Sequence, residues 1–148
     1  MTELLPGAAV AEVGPHFQLY RASADGPVRW RLLGGNNRPL GRSSLDFPDI
    51  PACLQELTVL VGVLTDLAGR VDRYPPNLWI WRLALQGMDV VVSAHPYDRQ
   101  IRARHGMRQF IDRAAVARVD AAVMVTTNRR GRPLTTLLGS RRTETLRR

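Results

Sequence analysis

Apolar and polar residues alternate over three stretches of this chain. His16-Phe17-Gln18-Leu19-Tyr20-Arg21 alternates throughout, Val28, Trp30 and Leu32 recur at every second position, and so do Trp79, Trp81, Leu83 and Leu85. A period of two puts such residues on one face of a sheet. The spacing therefore predicts strands over 16–21, 28–33 and 78–85, with Arg29, Arg31, Ile80, Arg82 and Ala84 on the opposite face. Shorter strands are expected over 40–44, where Gly41 weakens the pattern, over 71–74 and over 89–93, and a closing strand over 120–127. The tryptophans share the face richest in apolar neighbours, so they are expected in the core. A platform for stacking bases would need exposed rings.

Between these strands the period changes to that of a helix. Leu57, Leu60, Leu64 and Leu67 fall at helical spacing after Asp49, a capping residue, and Pro51, whose missing N–H costs little in a first turn. The pattern predicts a helix to about Ala68, with Gly69 as its stop. Ala103, Met107, Phe110, Ala114 and Ala117 step by 4, 3, 4 and 3, the buried stripe of a second helix capped by Asp98. Arg102, Arg104, Arg108 and Arg113 flank or oppose that stripe.

The two halves repeat one another. Trp30-Arg31-Leu32 matches Trp81-Arg82-Leu83 at an offset of 51; beyond the next turn the offset is 50, so that Ser43 falls on Ser93, Phe47 on Tyr97, Leu57 on Met107 and Leu60 on Phe110. The residue is lost in the turn, where Gly34-Gly35-Asn36-Asn37 is longer than Gln86-Gly87-Met88. Register that changes only in a loop is what duplicated strand-turn-strand units show. The elements make this an α+β chain with a flexible leader (1–15), two units (16–70 and 71–127) and a flexible basic tail (128–148).

Phe17-Gln18-Leu19-Tyr20, Trp30-Arg31-Leu32, Asn36-Asn37, Ser43 and Phe47 in the first unit, and Trp79 to Leu83, Gly87, Ser93, Tyr97, Gly106-Met107 and Phe110 in the second, give a pattern that resembles the YegP-like tandem-repeat domains. The resemblance covers roughly residues 16–127. It implies a ββ-βα unit repeated twice, each with a three-stranded antiparallel sheet and one helix, packed as an internal pseudo-dimer. The chain departs from the pattern at Asn36-Asn37, where the turn is usually Asn-Gly, and at Glu56, which stands at the helix glycine. The resemblance implies a fold and adds little chemistry.

Charge changes the picture more than composition does. All 21 basic residues are arginine. Residues 1–98 hold 8 Arg against 10 acids, a net of −2, whereas residues 99–148 hold 13 Arg against 3 acids, a net of +10. Such asymmetry points to a nucleic acid, an anionic surface or an acidic partner at the C-terminal third. The most apolar run, Leu57–Leu64, is far shorter than the roughly 20 residues of a membrane span. With Cys53 as the sole cysteine and no basic, apolar leader, a cytoplasmic chain without membrane contact is expected.

The sharpest local motif is Arg129-Arg130-Gly131-Arg132-Pro133, which looks like the core of an AT-hook. There a glycine lets the backbone approach the minor-groove floor while the flanking arginines enter its negative potential. Arg141 and Arg142 follow and could neutralise phosphates. The bland reading is an arginine-rich solubilising tail. A second candidate is an anion site on the sheet face bearing Arg29, Arg31 and Arg82, against the reading of a merely solvated face. His16, His95 and His105 have no ligand-like spacing, and neither a metal nor a cofactor is expected. Cys53 lies at a helix start without a paired histidine, so an idle thiol is expected. No nucleophile–base constellation, carboxylate pair or phosphate loop is evident, which argues against an enzyme. The sequence thus predicts a binding module for DNA or RNA acting through its tail; the alternative is a protein–protein or stress-related adaptor using the repeat domain. Such a pseudo-dimer would be complete as a monomer or pair again as a homodimer.

Overall fold

The computed structural model describes residues 14–125. In chain order these form β1 (His16–Arg21), β2 (Val28–Leu33), β3 (Pro39–Ser43), α1 (Ile50–Gly62), β4 (Ala68–Tyr74), β5 (Leu78–Leu85), β6 (Met88–Ser93), α2 (Gln100–Ala114) and β7 (Arg118–Val125). The strands make one seven-stranded sheet in the order β4-β5-β6-β3-β2-β1-β7. Every neighbouring pair is antiparallel except β1 and β7, which run parallel. At the centre β3 meets β6 with Gly41 opposite Ser93, Arg42 opposite Val92 and Ser43 opposite Val91.

Turn chemistry sets the hairpins. Between β5 and β6, Gln86 (φ 52°) and Gly87 (φ 83°) make a two-residue loop with Leu85 opposite Met88. Two left-handed residues match the twist of the flanking strands. Between β2 and β3, Asn36 and Asn37 take φ of 61° and 56°, a region that asparagine tolerates better than most residues. After β3 and β6 the chain folds back through matching bridges: Val28 exchanges backbone bonds of 2.7 and 2.8 Å with Phe47, as Trp79 does with Tyr97.

Both helices pack on the face carrying the alternating apolar residues. Phe17, Leu19, Val28, Trp30, Leu32, Trp81 and Leu83 form one core with Cys53, Leu57 and Leu60 of α1 and Ala103, Phe110 and Ala114 of α2. Phe110 joins the two halves, its ring centroid 6.2 Å from that of Trp30 and 5.3 Å from that of Trp81. Trp30 and Trp81 are fully buried, as their alternation required, so neither offers a stacking platform.

Three expectations about the helices need correction. First, α1 ends at Gly62, not near Ala68, and Leu64–Asp66 forms a 3-10 turn. Thr58, Val59, Val61, Val63 and Thr65 are β-branched and weaken a helix there. The turn still delivers Leu64 to the core, which is why the leucine spacing ran on past the helix. Second, Gly69 is not a helix stop but lies within β4, where a Cβ would stand 2.6 Å from the Met107 sulfur. Third, Asp49 caps α1, accepting from the Ala52 amide at 2.9 Å, but Asp98 does not cap α2. The cap position falls on Arg99, one residue later, with no side-chain cap bond, and Asp98 pairs with Arg102 at 3.6 Å instead.

Candidate functional site

The open face of the sheet carries the arginines singled out by sequence. Strand register puts Arg31, Arg42, Val92, Arg82 and Arg70 in one row across β2, β3, β6, β5 and β4. These arginines have partners. Arg29 donates to Asp46, and Arg31 donates to Gln18 at 2.8 Å while its guanidinium lies 5.0 Å from the centre of the Tyr20 ring. Arg70 grips Asp89 through two bonds of 2.8 and 3.0 Å, and Arg82 donates to Asp72. Burial acts against the charge of Arg29, but the bond to Asp46 and its charge more than restore it. Burial lowers the pKa of Arg31, with Tyr20 opposing. An anion reaching Arg29, Arg70 or Arg82 would have to displace Asp46, Asp72 or Asp89, so that part of the face is an ion-pair lattice before it is a binding surface. Nor is it simply solvated: Ile80, Val92, Tyr20 and Arg42 are buried.

Cationic charge with fewer carboxylate partners lies on the helix side. A groove of about 1020 Å³ runs between the turn Gly34–Leu40 and α2. Ile101, His105, Gln109 and Arg113 line it at intervals of four residues, with Arg102 and Gly106 alongside. Arg38, Asn36 and Leu40 form the opposite wall. The closing end comes from the segment between β6 and α2, held in place by the Tyr97–Trp79 bridge.

Local contacts make the groove a fixed shape. The phenol of Tyr97 lies against α2 where a Cβ on Gly106 would overlap its hydroxyl, so glycine is needed at that position. Burial raises the pKa of Tyr97, while Trp81 and the charge of Arg38 across the groove lower it. The exposed His95 ring rests 4.5 Å from that of Tyr97, and its Nδ1 lies 2.9 Å from the Pro96 carbonyl oxygen. That bond places the neutral ring's proton on Nδ1. Arg38, Arg102 and Arg113 face one carboxylate, Asp98, whose contact with Arg102 joins two exposed side chains and holds little energy.

Sequence reasoning did not find this groove. The four-residue spacing on α2 was visible, but Arg38 comes from the other half of the chain, and only the fold brings it across. Arg129, Arg130, Gly131, Arg132, Pro133, Arg141 and Arg142 lie outside the described residues. Among the described residues no three His, Cys, Asp or Glu side chains stand close enough to hold a metal ion. Nor is any helix there long and apolar enough to cross a membrane.

Cys53 is buried in α1, and desolvation, with a smaller push from Glu56, raises its thiol pKa from 9.0 to about 12. The native protein should therefore resist an aromatic disulfide reagent at pH 8 and react only at the rate of unfolding; burst labelling would refute this. A raised folded pKa also means that its stabilising effect is whole below about 9 and is lost as pH climbs toward 12.

No family model and no curated protein matches the chain. Among solved structures its fold is that of two small bacterial proteins. One is the solution structure of yegP from E. coli, described as a protein of unknown function, with a TM-score of 0.61, 13% identity, and 78% of this chain and 97% of that one covered. The other is a UPF0339 protein from Shewanella oneidensis, with a TM-score of 0.61, 10% identity, and coverage of 73% and 91%. At these identities the likeness establishes an α+β fold similar to theirs.

Proposed function

We propose that this chain is a non-enzymatic nucleic-acid-binding module, built from two copies of one ββ-βα unit packed as an internal pseudo-dimer. The duplication is supported by the β3–β6 register. At an offset of 50, Gly41 corresponds to Val91 and Ser43 to Ser93; Gly41 pairs with Ser93 and Ser43 with Val91, as a two-fold between the copies requires. Arg42 and its counterpart Val92 meet on that axis.

One observation carries the binding reading. On the open face Asp46, Asp72 and Asp89 neutralise arginines, whereas Arg38 and Arg113, on the two walls of the groove, form no ion pair among the described residues. Basic charge thus collects on one side and continues into residues 128–148, which hold 7 Arg and 1 Glu. In this reading Arg130 and Arg132 enter a minor groove while Arg129, Arg141 and Arg142 contact phosphates. A second reading, a protein partner, draws support from the outer edge of β4, which has no neighbouring strand among the described residues.

Binding of A·T-rich and G·C-rich duplexes by the full chain and by residues 1–127, titrated with salt, tests this. We expect a steep salt dependence, an A·T preference, and a loss of at least about tenfold on truncation, since up to seven phosphate or groove contacts go with the tail. Unchanged affinity after truncation would remove the tail from the mechanism. No binding by either form at low salt would overturn the nucleic-acid reading and favour a protein at the β4 edge.

A further inference from the structure

We propose that the groove between the Gly34–Leu40 turn and α2 is a binding site for a single nucleic-acid strand. This rests on the nucleic-acid reading above and goes further, because it names a second contact surface and the form of the ligand. The tail motif bears on duplex DNA alone.

Shape favours one strand over a duplex. The cationic groups lie in a concavity of about 1020 Å³, at the top of the roughly 300–1,000 Å³ range that encloses a drug-sized ligand, so the ligand is larger than a small metabolite or open-ended. A duplex presents its phosphates on a convex surface and receives protein elements into its grooves. A concave channel suits an unpaired strand, whose bases can turn toward the protein.

The lining supplies each contact that such a strand needs. Arg38 on one wall and Arg102 and Arg113 on the other can hold successive phosphates. His95 offers an exposed ring backed by Tyr97 at 4.5 Å, which holds it in place for stacking by a base. Asn36 and Gln109 carry amide donors and acceptors for base edges.

The duplicated architecture gives an internal comparison. At an offset of 50, the counterparts of His95, Arg102, His105, Gln109 and Arg113 are Leu45, Ala52, Gln55, Val59 and Val63. The equivalent positions of the first copy carry no cation. Scaffold requirements common to both copies therefore do not account for the basic residues of α2.

The test uses the full chain and two paired substitutions that remove the same charge from the same helix. Arg102→Ala/Arg113→Ala removes two of the three arginines that line the groove, whereas Arg104→Ala/Arg108→Ala removes arginines that do not line it; all four are exposed, so folding should survive. Affinity for fluorescein-labelled oligo-dT and for a duplex of the same length is read by anisotropy across a salt series. We expect the groove pair to weaken oligo-dT roughly tenfold or more and to lower the salt slope by about 1.4, the value for two single-strand phosphate contacts. The control pair should change it less than threefold. His95→Ala should weaken oligo-dT roughly fivefold or more without altering the slope, because stacking releases no counterions. If the two pairs lose affinity equally, binding follows net charge and the groove site is wrong. If the groove pair weakens oligo-dT and duplex alike, the single-strand assignment is wrong. Tail-driven binding unaffected by the groove variants would overturn the groove while sparing the nucleic-acid reading; no binding by the unsubstituted chain would overturn both.

Discussion

Replacing Phe110 by alanine should lower the unfolding free energy by about 3–5 kcal/mol, the range for removing a buried ring from a core that cannot collapse around the space. Phe110 is fully buried and touches both halves of the sheet through the rings of Trp30 and Trp81. Neither tryptophan can follow the lost ring, since each is fixed in a strand with paired neighbours on both sides. Aromatic pairs also contribute about 0.5–1.5 kcal/mol beyond the area they bury, and two such contacts disappear together. Urea unfolding followed by tryptophan fluorescence would measure the loss. A change below about 1 kcal/mol would mean that the two halves are held mainly by the β3–β6 ladder.

Gly41→Ala should cost about 1–3 kcal/mol, the usual penalty for overfilling a packed core. A Cβ there would stand 2.7 Å from one carbon of Phe110 and 2.8 Å from Trp81. These are ring atoms on buried side chains, so neither can swing aside as the end of an exposed chain would. The backbone of Gly41 sits in the central ladder opposite Ser93 and cannot retreat either. The two substitutions should not be additive. With Phe110 already alanine, much of the space needed by the methyl group is open, and the cost of Gly41→Ala should fall well below its value in the parent. Equal costs in both backgrounds would show that Trp81, and not Phe110, is the obstacle.

The strands of this protein were legible where alternation was strong. Residues 16–21, 28–33 and 78–85 carry aromatic and branched residues at every second place, and the structure has strands with those bounds. Weaker patterns cost accuracy. The leucine period passed smoothly from α1 into a 3-10 turn because Leu64 packs into the same core by a different backbone. Asp98 imitated a cap because it stands one residue from the cap position. The closing strand was foreseen, but its place beside β1 was not, since nothing local in residues 118–125 specifies a partner about a hundred residues earlier. Candidate chemistry followed the same rule. Arg29, Arg31 and Arg82 could be assigned to one face from period alone. The carboxylate partners of Arg29 and Arg82 could not, because Asp46 and Asp72 lie 17 and 10 residues away and meet them only through the Val28–Phe47 bridge and the β4–β5 register. The basic groove needed Arg38 and α2 together, which no local window contains.

The parallel pairing of β7 with β1 binds the first described strand to the last. His16 lies beside Arg118, and Arg21 beside Val125, so these contacts close loops of just over a hundred residues. Contacts this distant along the chain are won late and slow a folding reaction. During synthesis the outer edge of β1 stays bare until almost the whole domain has been made. A chain cut short before β7 would not merely lack a strand; it would present an unpaired edge able to template association with other chains. For a growing polypeptide, completion of β7 is therefore also the step that makes β1 safe.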